Sequence, residues 1–274
     1  MATKTVLITG CSSGIGRALA TAFKDRGHDV WATARKEPDL EELSQAGFHA
    51  QHLDIRDHDQ VKAVVATIES EAGGLDILVN NAGINAVGAV LDVPAEKLRE
   101  QLEINTVGPV ELIRQAFPLM RDRDARIVNI GSVVGVHATP FAGPYSASKA
   151  ALHRLNDALR MELAPFGIHV ILVQPGAIKS SMGDNASANA TVDGLGPYAK
   201  LADRIEARAR LSQEGKPTPA EEFAVHVVKA ALADKPPALV RAGASSWILP
   251  TFERWVPTGV GDRLLSRKFG LHKL

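Results

Sequence analysis

The chain has 274 residues and carries equal numbers of basic and acidic side chains, 31 of each. This balance gives no net field to attract nucleic acid or an anionic membrane, so we expect neither as a partner. The single cysteine, Cys11, excludes an intrachain disulfide and fits a reducing compartment. The sequence has no run of about 18 apolar residues and opens without the apolar region of a signal peptide, so we expect a cytoplasmic protein with no transmembrane segment.

Strand and helix patterns alternate along the chain without a linker-like break before residue 180. Short apolar runs predict strands at 5–8, 29–33, 49–53, 75–79, 125–130, 168–173 and 238–241. Helical patterns cover 17–27, 38–46, 57–72, 94–120 (one long helix or a pair), 145–165, 200–211 and 219–233, and Asp57 is a candidate N-cap. We therefore expect one α/β domain over residues 1–274. Its sheet should be Rossmann-like, doubly wound and parallel, with about seven strands, helices on both faces and the ligand at the carboxyl ends of the strands.

A glycine-rich turn follows the first predicted strand and leads into the first predicted helix. It reads Thr9-Gly10-Cys11-Ser12-Ser13-Gly14-Ile15-Gly16. Glycines let the backbone approach a pyrophosphate, and the helix N-terminus presents N–H groups and the positive end of the helix dipole. The spacing G-x-x-x-G-x-G differs from the general dinucleotide fingerprint, and such a turn can also be only a tight connection. In this context it predicts a phosphate site.

Tyr145 and Lys149 are four residues apart in a predicted helix, which places a phenol and an ammonium on one face, one turn apart. A phenol titrates near pH ~10, and a neighbouring cation favours the phenolate and lowers that pKa. Ser132 stands at the end of the fifth predicted strand. A hydroxyl, an activated phenol and a lysine are what reversible oxidation of an alcohol requires, provided that a hydride carrier lies beside them.

These motifs together resemble the short-chain dehydrogenase/reductase family, over roughly residues 3 to 180. The resemblance rests on the glycine turn, Asn80-Asn81-Ala82-Gly83, Asn105, Ser132, Tyr145-x-x-x-Lys149 and Pro175-Gly176, in the family's order and approximate spacing. The second strand and the C-terminal Phe-Gly-Leu-His look similar to the branch of 17β-hydroxysteroid dehydrogenases, retinol dehydrogenases and acyl-dihydroxyacetone-phosphate reductases. The resemblance implies an oxidoreductase that interconverts a carbonyl and an alcohol by hydride transfer.

The resemblance also implies a role for each catalytic residue. Tyr145 gives its proton to the carbonyl oxygen during reduction and takes it back during oxidation. Lys149 lowers the pKa of the phenol, and a shift from ~10 to ~7 needs about 4 kcal/mol. Ser132 orients the substrate oxygen and stabilises its developing charge. Asn105 holds a water that joins Lys149 to bulk solvent.

The end of the second strand addresses the choice of cofactor. Ala34 stands where an acidic residue would select NAD, and Arg35 follows it. A guanidinium makes charge-assisted contacts with phosphate, so we predict NADP(H), with Ser12 as a second donor to the 2′-phosphate. The resemblance adds Asp54 and Ile55 at the adenine. The full predicted cofactor set is Gly10, Ser12, Ser13, Gly14, Ile15, Gly16, Arg35, Asp54, Ile55, Asn81, Ala82, Gly83, Tyr145, Lys149, Pro175, Gly176, Ile178 and Ser180.

The substrate side of the site is predicted from the C-terminal third of the chain and from the segment after Ser132. Small and polar residues dominate at about 178–217, which suggests a mobile lid over the substrate. The extension at about 242–274 holds two tryptophans and packs on its own domain or a partner subunit, or lies at a membrane surface as an amphipathic segment. The predicted pocket is mostly apolar and suits a bulky hydrophobic ketone or alcohol; its residues are Val134, Val136, His137, Phe141 and Tyr198.

Three other functions fit the sequence less well. A hydrolase is rejected because the residue two before Ser132 is Ile130, whereas a nucleophile elbow has glycine there. A metal site is rejected because His49 and His52, three apart in a strand, lie on opposite faces. A cofactor-binding regulatory or structural module on the same fold would be expected to lack the Tyr145/Lys149 pair. By resemblance to the family, we expect a homodimer or homotetramer.

Overall fold

The computed structural model describes residues 2–180, 190 and 196–274. In this part of the chain seven parallel strands form one sheet in the order β3-β2-β1-β4-β5-β6-β7. The strands are β1 Thr5–Ile8, β2 Asp29–Ala34, β3 His49–His52, β4 Ile77–Asn80, β5 Arg126–Ile130, β6 His169–Pro175 and β7 Leu239–Ala242. The predicted doubly wound parallel sheet is confirmed, and the order reverses between β1 and β4, where α/β sheets of this kind bind ligands.

Helices connect the strands and cover both faces of the sheet. They are α1 Gly14–Lys24, α2 Glu37–Gln45, α3 His58–Ala72, α4 Ala95–Leu102, α5 Gly108–Met120, α6 Gly143–Leu163, α7 Ala202–Arg210, α8 Ala220–Ala231, α9 Ile248–Trp255 and α10 Thr258–Phe269. The predicted cap of α3 is present, because the Asp57 side chain accepts from the backbone N–H groups of Asp59 and Gln60.

The core lies in two layers on opposite faces of the sheet. On β1, Val6 and Ile8 pack with α1 and α8 on one face, whereas Leu7 packs with α3 and α5 on the other. Alternate side chains of a strand point to opposite faces, so a continuous apolar strand can bury both. This two-sided burial fixes the sheet and presents the ends of β1, β4 and β5 along one edge.

Of the two alternatives predicted at 94–120, one long helix or a pair, the structure has the pair. A π-helical turn at Glu103–Val107 joins α4 to α5. Such turns insert one extra residue into the helix and often occur at functional sites. Asn105 lies in this turn and is fully buried. The hydropathy pattern continues through the turn, which is why the sequence did not reveal it.

A third cluster joins the C-terminal helices to the loop before α6. Phe141 packs against Tyr198 and Phe269, at ring-centroid distances of 6.3 Å each, and Leu201 and Ile205 belong to the same cluster. The extension therefore packs on its own domain by one face. Its other face exposes Trp247 and Trp255, at 61% and 72%. No helix among the described residues is long and apolar enough to cross a membrane.

About two thirds of the predicted lid is described. Residues 181–189 and 191–195 lie outside the described residues, and with them most of the small, polar stretch on which the lid was predicted. The predicted helix at 200–211 is α7, and it is not loosely attached, because Leu201, Ile205 and Ala209 are buried in the third cluster. The lid over the substrate stays a prediction.

Candidate active site

The end of β5 and the start of α6 bring Ser132 and Tyr145 together. Ser132 follows β5 directly and begins a short 3-10 turn, where its hydroxyl accepts from the N–H of Val134 at 3.3 Å. Tyr145 lies in the first turn of α6, and its phenol is hydrogen-bonded to the Ser132 side chain. The two hydroxyl groups therefore meet at the carboxyl end of the sheet.

Lys149 lies one helical turn after Tyr145, as the spacing predicts. Its ammonium donates to the carbonyl oxygen of Ile130 at 2.8 Å and stands 5.9 Å from the centroid of the Tyr145 ring. The side chain is 3% exposed, and burial lowers the pKa of Lys149 to about 8. A pKa of about 8 leaves the amine mostly charged at neutral pH.

The pKa of Tyr145 differs from the sequence expectation. Burial raises the pKa of this phenol above its usual value, while the hydrogen bond from Ser132 and the charge of Arg208 lower it. In the protein alone burial outweighs these two effects, and a lowering of this pKa by Lys149 stays a prediction. A raised pKa keeps the phenol protonated at neutral pH, which is the form that can donate a proton to a carbonyl oxygen.

Asn105 lies next to Lys149 but is held by protein groups. Its side-chain amide donates to the carbonyl oxygen of Ile84 and to the hydroxyl of Ser148, both at 2.9 Å, and its oxygen accepts from the N–H of Ile84 at 2.9 Å. A side chain placed on Gly83 would stand 3.1 Å from the Asn105 oxygen and 3.6 Å from the Lys149 nitrogen. The glycine therefore leaves open a space that these two polar groups border. The water predicted at Asn105 stays a prediction.

His153 supports the Ser132 turn and was not predicted. The backbone N–H of Ser132 points to its Nε2 at 3.4 Å, and a side chain on Gly131 or Gly135 would collide with the imidazole. Burial, helped by the charge of Lys149, lowers the pKa of His153 to about 4. The imidazole is therefore neutral in the folded protein and can accept at Nε2. A lone histidine in a helix gives no sequence signal for this role.

We expect His153 to make the protein less stable as the pH falls. Its folded pKa of about 4 lies below the ordinary 6.5, so the unfolded chain takes up a proton that the folded chain refuses. Stability is complete above pH ~6.5 and falls by up to about 3 kcal/mol as the pH drops toward ~4. Urea unfolding of His153→Gln should show a weaker dependence on pH than the wild type. The exposed His226→Gln is the control, and an equal effect of the two substitutions would contradict the assignment.

The glycine turn after β1 is joined to the turn after β4 by a set of short hydrogen bonds. Gly10 adopts φ of 71°, which favours glycine, and a side chain on Gly16 would stand 2.2 Å from the Gly10 oxygen. The Asn81 amide donates to the carbonyl oxygens of Thr9 and Gly10 at 2.8 and 3.0 Å. The Thr9 hydroxyl accepts from the N–H groups of Asn81 and Ala82. The predicted phosphate turn and Asn81 thus form one unit.

The Cys11 side chain lies under the glycine turn and is not exposed at its surface. It is buried, and its thiol donates to the carbonyl oxygen of Ile8 at 3.3 Å. Burial raises the pKa of the thiol to about 12. A buried thiol with a raised pKa is inert toward redox chemistry.

The residues predicted to bind the adenosine part of the cofactor follow β2 and β3. Arg35 is exposed just after β2, and among the described residues no carboxylate lies within 4 Å of its guanidinium. Asp54 is instead paired with Arg56 at 2.6 Å, which lowers the pKa of its carboxyl. Ile55 is buried in the core beside Gly108. Contacts of Asp54 and Ile55 with an adenine stay predictions.

The loop after β6 contacts the C-terminal third of the chain. The N–H of Ala177 donates to the Ala244 oxygen at 2.7 Å, and a side chain on Gly176 would stand 2.1 Å from that same oxygen. Ile178 is buried, and the N–H of Ser180 donates to the Gln213 side chain at 3.2 Å. The loop from Pro175 to Ser180 is thus held by residues of the C-terminal third.

The predicted pocket residues divide between two neighbouring groups. Phe141 and Tyr198 meet in the third cluster, and Phe141 keeps φ of 65°, a conformation that costs an aromatic residue about 1–3 kcal/mol. His137 instead contacts α9, through a hydrogen bond with Glu253 and ring contact with Phe252. Val134 and Val136 are partly buried in the segment between these groups and Ser132.

Arg208 of α7 completes the site and was not predicted. It is 7% exposed, and its Nε and Nη2 both donate to the Thr139 hydroxyl at 3.1 Å. Its charge reaches Tyr145, whose pKa it lowers. Neighbouring arginines on the same helix are exposed, so the sequence reads as a solvated charged face. Within the described ranges no group of three His, Cys, Asp or Glu could hold a metal ion.

Fold and site together define a dinucleotide-binding α/β protein with a hydroxyl, a phenol and an ammonium at one strand end. The sequence model of the short chain dehydrogenase family matches residues 4–191. The chain belongs to the short-chain dehydrogenase/reductase family of oxidoreductases, whose members bind a nicotinamide cofactor.

Similar proteins of known sequence span most of this chain. A short-chain dehydrogenase of Penicillium ochrochloron is 38% identical over 231 residues, covering 83% of this chain and 84% of that protein. An NADPH-dependent 3-dehydrocapnine reductase of Ornithobacterium rhinotracheale is 36% identical over 278 residues, covering 96% of this chain and 95% of that protein.

Solved structures agree on the fold. A short-chain dehydrogenase from Streptomyces avermitilis has a TM-score of 0.77 and 31% identity, covering 100% of this chain and 97% of that one. A Burkholderia cenocepacia short chain dehydrogenase in complex with NADP gives 0.76 and 25%, covering 96% and 98%. A Burkholderia phymatum member in complex with NAD gives 0.77 and 26%, covering 92% of each chain.

Proposed function

We propose that this chain is an NADP(H)-dependent oxidoreductase that interconverts a ketone or aldehyde and an alcohol, acting on a bulky hydrophobic substrate. The observation that carries the proposal is the meeting of the Ser132 hydroxyl, the Tyr145 phenol and the Lys149 ammonium at the end of β5. These groups can hold a carbonyl oxygen and give it a proton. They lie at the edge of the sheet where the phosphate turn also lies.

A nicotinamide dinucleotide fits the residues present. The glycine turn and the start of α1 offer backbone N–H groups to a pyrophosphate. Asn105 and Lys149 lie around Gly83 and offer polar groups to the hydroxyl groups of a ribose. When bound, the reduced dinucleotide supplies the hydride. The donor set, which includes the cations Lys149 and Arg35, thus suits a long anionic ligand.

Preference for the phosphorylated cofactor is supported by the end of β2. Ala34 offers no carboxylate to ribose hydroxyl groups, and the exposed guanidinium of Arg35 has no carboxylate within 4 Å among the described residues. A 2′-phosphate would supply that missing counter-charge. The 36%-identical reductase is NADPH-dependent, whereas solved members of the family include complexes with NADP and with NAD.

The protein groups divide the chemical work between them. Ser132 donates to the substrate oxygen and fixes its position. Tyr145, kept protonated by burial, transfers its proton to that oxygen as the carbonyl carbon is reduced. Lys149 stabilises the phenolate that this leaves, because it stays cationic at neutral pH and is shielded from water. In the reverse direction the phenolate takes the proton from the alcohol.

The substrate side is mostly apolar. Phe141, four residues before Tyr145, forms an apolar wall with Tyr198 and the residues of α7 and α10 packed with them. His137 adds a polar atom, since its Nε2 is buried and has no hydrogen-bond partner among the described residues. Such a lining suits a large apolar carbonyl compound. Closure of the segment at 178–217 over it stays a prediction.

A substrate panel tests the proposal. Aliphatic, aromatic and polycyclic ketones would be incubated with NADPH or NADH, and consumption of the reduced cofactor followed by its absorbance. We expect turnover of large apolar carbonyl compounds with NADPH in preference to NADH. Tight NADPH binding with no turnover of any carbonyl compound would favour the cofactor-binding module instead.

We further propose a homodimer or homotetramer. The two helices expected at the family's two-fold interface expose apolar side chains, including Val107 before α5 and Leu155 and Met161 on α6. Burying them against a second copy would remove this apolar surface from water. Light scattering at micromolar concentration should give two or four times the chain mass of 29.2 kDa, and a monomeric mass would contradict the proposal.

A further inference from the structure

Arg208 is a buried cation that pairs with no carboxylate among the described residues. Its Nε and Nη2 donate to the Thr139 hydroxyl, which is neutral, and no carboxylate among the described residues lies within 4 Å of its guanidinium. Arg126 is also buried, but its charge is balanced because it pairs with Asp124 at 2.7 Å. A buried charge without a counter-ion is costly, so a bound anion would remove part of that cost.

The position of Arg208 relates it to the substrate. Thr139 lies in the loop between Ser132 and Tyr145, and α7 packs its apolar side chains Ile205 and Ala209 on the pocket wall. The charge of Arg208 lowers the pKa of the Tyr145 phenol. Tyr145 in turn favours the charged form of Arg208. The guanidinium is thus held by the loop that leads to the proton donor, and it belongs to the helix that packs in the third cluster.

We propose that Arg208, held by Thr139, binds a negatively charged group of the substrate close to the reacting carbonyl. The substrate would then be an amphiphilic oxo acid, with a carboxylate, sulfonate or phosphonate on Arg208 and an apolar chain along the third cluster. This inference rests on the proposed function and adds the charged group to it. A planar guanidinium offers two N–H groups to one acid, which fixes the carbonyl relative to Tyr145.

The kinetic test compares substrates that differ in charge alone. The probes are 3-oxodecanoate, its methyl ester, and the phosphonate with the same chain length. We expect the wild type to prefer the acids and Arg208→Gln to lose about ten- to a hundredfold of the acid-to-ester ratio in kcat/KM, the usual contribution of a hydrogen bond to a charged group. The ratio cancels any common effect through Tyr145. The two acids show which type of anion fits.

Two variants serve as controls. Arg208→Lys keeps the charge and should retain a large part of the preference, whereas Arg210→Gln removes an exposed arginine of the same helix and should leave the ratio unchanged. A wild type that prefers the ester would overturn the proposal. So would an equal loss of acid and ester turnover in Arg208→Gln, which would show that Arg208 acts on Tyr145 or on folding alone.

A binding measurement separates this inference from the proposed function. Decanoate and decanamide cannot be reduced in this way, and calorimetry on the complex with NADP measures their affinities without turnover. Decanoate should bind about tenfold more tightly than decanamide, and Arg208→Gln should abolish that difference. If decanoate has this advantage but no carbonyl compound is reduced, the proposed function fails and the anion site stands. Equal binding of the two probes overturns the anion site.

Discussion

Tyr145→Phe is expected to remove nearly all turnover while leaving cofactor binding intact. The substitution keeps the buried ring in place and removes the hydroxyl that transfers the proton. General acid–base catalysis contributes about 10²–10⁴-fold, so kcat should fall by about a hundredfold or more. The Kd for NADPH, measured by fluorescence titration, should change by less than about threefold, because a tenfold change would require a loss of about 1.4 kcal/mol.

The other tyrosine gives a matched comparison. The chain has two tyrosines, and Tyr198 contacts Phe141 through its ring. Tyr198→Phe removes a phenol hydroxyl without removing that contact, so it should cause a much smaller loss than Tyr145→Phe. If Tyr145→Phe kept more than about a tenth of the wild-type kcat, equivalent to a barrier change of some 1.4 kcal/mol, Tyr145 would not be the proton donor.

Arg35→Ala is expected to weaken NADPH and leave NADH nearly untouched. The exposed guanidinium after β2 would pair with the 2′-phosphate, which NADH lacks. Loss of a charge-assisted hydrogen bond costs about 2 kcal/mol, so the Kd for NADPH should rise by about 30-fold. Isothermal titration with each reduced cofactor measures this difference directly.

NADH serves as the internal control for that experiment, and Arg35→Lys as a second one. The lysine keeps the charge but not the bidentate geometry, so its affinity for NADPH should fall between those of the wild type and Arg35→Ala. Equal loss of NADPH and NADH binding would show that Arg35 supports the loop and not the phosphate. A wild type that prefers NADH would refute the assignment outright.

The sheet could be predicted because its signals are local. The apolar run at β1 and the glycine turn after it report their structure within a few residues, and the Asp57 cap does the same for α3. Tyr145 and Lys149 lie one turn apart because the helical repeat requires it. Each of these features depends on neighbours in the sequence.

The features that the sequence did not reveal depend on distant contacts. Arg208 is buried only because α7 packs on Phe141 and the C-terminal helix, and no pattern within α7 distinguishes it from its exposed neighbour Arg210. His153 is fitted under Gly131 and Gly135, which are close in space but not in its own helix. The pKa of Tyr145 is likewise set mainly by burial, which the spacing of Tyr145 and Lys149 in the sequence does not reveal.

The origin of the third cluster has a consequence for how this enzyme could acquire new substrates. The match to the family ends at residue 191, whereas Tyr198, Ile205, Arg208 and Phe269 all come from the chain beyond it. The groups of the proposed chemistry thus come from the first 191 residues, whereas the proposed substrate side combines Thr139 and Phe141 of that part with residues from beyond it. Exchange of residues 196–274 between relatives should therefore change substrate selectivity only where the loop that carries Thr139 and Phe141 fits the new helices.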